Sequence, residues 1–72
     1  MKMLSSQSEI LRSARERLGY SQQYIARELG FHIRQYQRFD YGERSLESCS
    51  MKTGLKICAI LQIDPYDIVN LD

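Results

Sequence analysis

Apolar residues recur along the chain with helical spacing, and no stretch of useful length shows the two-residue alternation of a half-buried strand. Ile10, Leu11, Ala14 and Leu18 share one side of a helical projection, with Arg12, Glu16 and Arg17 on the others. Just ahead, Ser6-Gln7-Ser8-Glu9 has the spacing of a capping box, in which the serine hydroxyl accepts the amide three residues on and the glutamate reaches back. A first helix is predicted over roughly residues 7 to 18, stopped by Gly19. Ser21 is a favourable N-cap and Gly30 a favourable terminator, so Gln22 to Leu29 should form a second, short helix. A third, Ile33 to Phe39, puts Tyr36 and Phe39 on one face and Arg34, Gln37 and Arg38 on another before Gly42 ends the segment.

Residues 43–50 are polar and serine-rich, the composition of a loop, and Ser50 can cap a fourth helix. From Met51 to Leu61 the apolar positions Met51, Leu55, Cys58 and Leu61 keep a helical period, with Lys52 and Lys56 outside it. Gly54 interrupts this helix at a cost of about 1 kcal/mol relative to alanine, which implies either a weak helix or the close approach of another backbone. Asp64 caps and Pro65 opens a short last helix carrying Tyr66, Ile68, Val69 and Leu71. The expected fold is all-α, a compact five-helix bundle, with residues 1–72 as one domain and its core over about 9–69.

Length narrows the function. A chain of 72 residues and 8.5 kDa has material for one thin core, which excludes most metabolic enzymes and leaves no room for a separate sensor domain. The 43% hydrophobic and 26% charged content is that of a folded domain, not of a disordered tail. Cys49 and Cys58 are too few for a zinc site, and His32 is far from both in sequence, so no metal and no cofactor are expected. The opening Met1-Lys2-Met3-Leu4-Ser5-Ser6 has no apolar stretch of the secretory type, and no run approaches the roughly 18 apolar residues of a membrane span. These readings predict a cytoplasmic protein with reduced thiols, Cys58 inert in the core and Cys49 accessible in a loop. No Ser/His/Asp or Cys/His constellation supports an enzyme.

Two short helices joined through a glycine turn, the second with a bare polar face, make the recipe of a helix-turn-helix. Ala26 is small where two helices cross, and Gly30 can take the left-handed conformation that turns the chain without a long loop. Ile25, Leu29, Phe31, Tyr36 and Phe39 can form a shared core, leaving Ile33, Arg34, Gln37 and Arg38 free to enter a groove. The run Ser21-Gln22-Gln23-Tyr24-Ile25-Ala26-Arg27-Glu28-Leu29-Gly30 resembles the Thr-Gln-x-x-Leu-Ala-x-x-x-Gly signature of the Cro and phage-repressor type of helix-turn-helix, the xenobiotic response element family. Tyr36-Gln37-Arg38-Phe39-Asp40-Tyr41-Gly42-Glu43-Arg44 is similar to that family's close of the recognition helix, and Lys56-Ile57-Cys58-Ala59-Ile60-Leu61 to its fourth helix.

The resemblance implies a lambda-repressor-like DNA-binding domain with its recognition helix at about 33–39. It implies that Gln22 holds a DNA phosphate, that Ile33, Arg34, Gln37 and Arg38 face the major groove, and that Arg15 and Asp40 form a structural brace. The chemistry of these residue types agrees: arginine can read guanine bidentately, glutamine can read adenine, and isoleucine can touch a thymine methyl. Arg44, just after the recognition helix, is placed for a phosphate. The chain departs from the family pattern at His32, where a Ser or Thr cap is usual, at Asp40, where a glutamate is usual, and at Gly54, where an apolar side chain is common.

The formal net charge is only +1, but it is unevenly spread. Residues 12–44 hold seven arginines against four acids, a net of +3, whereas residues 45–72 hold two lysines against four acids, a net of −2. The expected function is that of a sequence-specific regulator of transcription, of bacterial or phage type, acting on double-stranded DNA in the nucleoid. A homodimer on half-sites about 34 Å apart is expected, with the last helix around Tyr66, Ile68 and Leu71 as its contact. The competing expectation is an antitoxin-like or adaptor module whose main partner is a protein. For Arg34 and Arg38 the plain alternative is a solvated pair on a helix face, and for His32 it is a turn residue or a phosphate neighbour.

Overall fold

Serine and glycine punctuate the chain at the points where its helices begin and end. The computed structural model describes residues 7–69, which form α1 (Gln7–Leu18), α2 (Gln22–Leu29), α3 (Ile33–Asp40), α4 (Met51–Leu61) and α5 (Pro65–Val69), with a 3-10 turn at Leu46–Ser48 between α3 and α4. No strand occurs among the described residues. The Ser21 hydroxyl accepts the Tyr24 amide at 3.0 Å to start α2, and the Ser50 hydroxyl accepts that of Thr53 at 3.2 Å to start α4. The Ser6 cap expected for α1 and the Leu71 position lie outside the described residues.

Gly30 ends α2 in the left-handed conformation, φ 73°, and lets the Phe31 amide return to the Ala26 carbonyl at 2.8 Å. The chain then needs only Phe31 and His32 before α3 begins. The cap of α3, which lacks the usual hydroxyl, comes from an imidazole. His32 Nδ1 accepts the Arg34 amide at 3.4 Å, while Gln35 Oε1 accepts the His32 amide at 2.8 Å, a reciprocal arrangement of the capping-box kind.

The core is one continuous cluster. Leu11 and Ala14 of α1 meet Ile25, Ala26 and Leu29 of α2, Tyr36 and Phe39 of α3, and Ile57, Cys58 and Leu61 of α4. Leu46 and Ile68 extend it to the 3-10 turn and to α5. Tyr36 and Phe39 are fully covered, as their helical face required.

The apolar face of α4 differs from the expected one. Met51 and Leu55 are 80% and 48% exposed, and Ile57 takes the core position beside Cys58 and Leu61. The second half of the helix packs on α1 and α2, so Ile57, Cys58 and Leu61 define its buried side, while Met51 and Leu55 lie towards α5. Ile68, expected on a dimer contact, is buried, because α5 folds back on α4.

Gly54 has a backbone neighbour. A Cβ at this position would sit 3.8 Å from the Leu46 carbonyl oxygen and 3.7 Å from Cys49 Sγ, both ordinary van der Waals separations. Gly54→Ala should therefore fit without displacing the 3-10 turn. It is expected to stabilise the fold by about 1 kcal/mol through backbone entropy and helix propensity. In a thermal melt followed by circular dichroism this appears as a midpoint about 4–8 °C higher. A lower midpoint would mean that the turn cannot tolerate the methyl group.

Candidate nucleic-acid interface

Asp40, the last residue of α3, has a side chain with no exposed surface, and an ionised carboxylate there must be fully partnered. Four hydrogen bonds reach it. Arg15 of α1 donates through Nε to Oδ1 at 3.1 Å and through Nη2 to Oδ2 at 3.2 Å, a two-pronged ion pair. Gln22 Nε2 donates to Oδ2 at 2.8 Å, and the Tyr36 hydroxyl to Oδ1 at 2.9 Å. Arg15 also donates to the Tyr20 carbonyl at 3.0 Å, and Arg12 to the Asp40 carbonyl at 3.1 Å. One carboxylate thus ties α1, the turn after it, the start of α2 and the end of α3 together.

Burial alone would push the Asp40 carboxyl up; the hydrogen bonds from Arg15, Gln22 and Tyr36 outweigh it and hold the group below its ordinary value. Burial, reinforced by the Asp40 charge, raises the Tyr36 phenol. A carboxyl with a lowered folded-state pKa contributes stability above its unfolded value and loses that contribution as pH falls through the folded one. Urea midpoints should accordingly fall as pH drops below about 4, and Asp40→Asn should flatten that part of the profile. Parallel profiles for the two proteins would remove Asp40 from the acid response.

Beside this buried knot lies an exposed polar surface. Arg34 and Arg38 are solvent-exposed on α3, and with Gln37, Tyr41 and Glu43 they line a shallow concavity of about 280 Å³. Gln37 is half-buried, and its Nε2 donates to Gln22 Oε1 at 3.0 Å. A chain of hydrogen bonds therefore runs from Gln37 through Gln22 to Asp40. It sets the Gln22 side chain at the start of α2 against Gln37 in the middle of α3, which lines the concavity with the two arginines.

Other residues singled out in the sequence take different positions. Ile33 does not stand out with the arginines; it is half-buried and packs against the core, because α3 is short and its first residue lies over the α2–α3 junction. The Gln22 side chain is turned inward, with its oxygen accepting from Gln37 and one amide hydrogen committed to Asp40, which leaves the second hydrogen for an outside acceptor. Arg44 lies over the Phe39 ring, 5.3 Å from its centroid, and donates to the Ser48 hydroxyl at 3.3 Å, bracing the loop between α3 and α4. Glu43 brings an acid to the rim of the arginine surface.

Gln22 and Tyr36 as partners of Asp40, and Gln35 as the reciprocal half of the α3 cap, are the members that sequence reading missed. Gln35 carried a signal, since a glutamine three residues after a capping position is half of a capping box. Cys58 is buried, with its thiol pushed up by burial, and half-buried Cys49 donates to the Leu46 carbonyl at 3.0 Å. Among the described residues no group of three or more His, Cys, Asp or Glu is arranged to hold a metal, and no helix is long and apolar enough to cross a membrane. The chain matches no protein-family model, no curated protein and no solved structure.

Proposed function

We propose that this chain is a sequence-specific regulator of transcription that binds double-stranded DNA, with α2 and α3 acting as a helix-turn-helix and α3 entering the major groove. The observation that supports this reading is the Gln37–Gln22 hydrogen bond, which fixes Gln37 of α3 from α2 beside the exposed Arg34 and Arg38. An approaching duplex would meet the two arginine cations beside the Gln37 side-chain amide, a combination suited to a base edge and its flanking phosphates.

In this reading Arg34 and Arg38 read guanine O6 and N7. Gln37, whose position is fixed by Gln22, offers its free carbonyl oxygen and second amide hydrogen to an adenine. The remaining amide hydrogen of Gln22 and the exposed guanidinium of Arg44 take phosphates, and the open edge of Ile33 touches a thymine methyl. Arg15 and Asp40 touch no DNA; they hold α1, α2 and α3 in the arrangement the surface needs. With a net charge of +1 the backbone attraction is modest, so affinity depends on base contacts and on binding as a homodimer.

Amide chemical shifts recorded during titration with a short mixed-sequence duplex test the surface. The expected changes fall on residues 21–24 and 33–44 and spare Lys52 and Lys56. Changes centred on α4 and α5 would reject the assignment of the face.

A further inference from the structure

The described residues contain three sulfur atoms, those of Cys49, Met51 and Cys58, and all three residues line one groove. The groove holds about 390 Å³ between the 3-10 turn, α4 and α5, and its other walls include Leu46, Leu55 and Ile68. It shares no residue with the concavity around Arg34 and Arg38, so what it does is independent of DNA binding.

Gly54 gives the sulfurs a common meeting point. It lies one turn after Met51 and one turn before Cys58 on α4, so the three positions share a helix face. A Cβ at Gly54 would stand 3.7 Å from Cys49 Sγ, which therefore sits over the gap that the missing side chain leaves. A helical side chain leans towards the turn before it, which brings the Cys58 thiol back to the same gap. Burial, then Asp64, then Cys49 raise the Cys58 thiol, so the two cysteines are within electrostatic reach of each other. Met51 is 80% exposed, and its flexible unbranched chain can carry the thioether in from the rim.

Thiolate and thioether are soft ligands, and they select a soft ion. Zinc takes a tetrahedral set, and among the described residues no histidine or carboxylate stands where it would complete one with the two cysteines. The cysteine count that excludes zinc leaves the thioether out, and a monovalent d10 ion is satisfied by two thiolates with a thioether beside them. We propose that Cys49, Met51 and Cys58 form a binding site for a monovalent soft metal ion, Cu(I). Binding exchanges the two thiol protons for the ion; both protons leave to solvent, and no ligand is oxidised or reduced. The Cys49 thiol donates to the Leu46 carbonyl at 3.0 Å in the metal-free chain. When that proton leaves, the carbonyl keeps a donor, the Cys49 amide at 3.3 Å. The bound ion ties the segment after the 3-10 turn to the middle of α4.

Competition for Cu(I) between the full chain and the coloured chelator bicinchoninate tests it, without oxygen and with ascorbate to keep the copper monovalent. The wild-type chain is expected to withdraw one ion per molecule, and X-ray absorption at the copper edge to show a shell of sulfur alone. Cys49→Ser and Cys58→Ala should each lose more affinity than the about 10–100-fold that removal of a merely supporting group costs a metal site. Met51→Leu, which keeps the apolar bulk, should lose about tenfold and one sulfur from the shell. Thermal melts establish that each variant is folded, and exposed Met51 with half-buried Cys49 carries the test should Cys58→Ala unfold. A wild-type chain that leaves the copper with the chelator overturns the proposal, as does a shell containing nitrogen or oxygen, or an ion shared between two chains. So does a Cys49→Ser or Met51→Leu variant that binds as tightly as the wild type. With no DNA in the assay, failure here is distinct from failure of the DNA reading.

Discussion

Replacing Asp40 by alanine is expected to lower the free energy of unfolding by about 3–5 kcal/mol. The substitution removes the acceptor of four hydrogen bonds and strands three donors: the largely buried Arg15 guanidinium, the Tyr36 hydroxyl in the core, and the Gln22 amide. A chain of 72 residues has roughly 4–10 kcal/mol of stability in total at about 0.05–0.15 kcal/mol per residue, so the variant should be largely unfolded at temperatures the wild type tolerates. Urea denaturation followed by circular dichroism measures the loss. Tyr36→Phe deletes one donor, leaves the ion pair intact, and is expected to cost about 1 kcal/mol. If Asp40→Ala cost no more than Tyr36→Phe, the carboxylate would not be the tie between the helices.

Arg34→Ala combined with Arg38→Ala should weaken binding to a preferred duplex by about 2–6 kcal/mol, the sum of two contacts each of about 1–3 kcal/mol. Stability should be unchanged, since both side chains are exposed and neither makes a side-chain hydrogen bond or ion pair within the described chain. Each single variant should relax preference at one base pair, and binding to random duplex should fall less than binding to the preferred one. Fluorescence anisotropy with both duplexes at one fixed salt concentration reads the difference. Equal losses on the two would make the arginines phosphate contacts and remove their reading role. Gln22→Ala is a different case: it also frees Asp40 and Gln37, so weaker DNA binding should come with a lower melting midpoint.

Both ends of α2 and the start of α4 are legible in single residues, because Ser21, Gly30 and Ser50 act through local backbone chemistry that needs no tertiary partner. The core positions of Tyr36 and Phe39 are legible for a related reason: apart from Ile33 at its start the rest of α3 is polar, so only one face of it can be buried. Helix α4 is apolar on more than one side, and its period leaves open which side meets the core. Ile57 and Met51 exchange roles there once α1 and α2 cover one side and α5 leaves the other open. Leu46 was hidden by its surroundings, a lone apolar residue in a serine-rich stretch that becomes the buried anchor of the 3-10 turn. Gln22 shows the limit most clearly. An amide side chain suits a phosphate outside as well as a carboxylate inside, and only the nearness of Asp40 and Gln37 in three dimensions turns it inward.

Selecting bound duplexes from a random pool decides whether α3 reads base sequence, as we propose. The expected winners share a short motif repeated with two-fold symmetry, its halves one helical turn or about 34 Å apart, and bind about 10³-fold or more tightly than the starting pool at moderate salt. A selected pool that binds no better than the random one would contradict it.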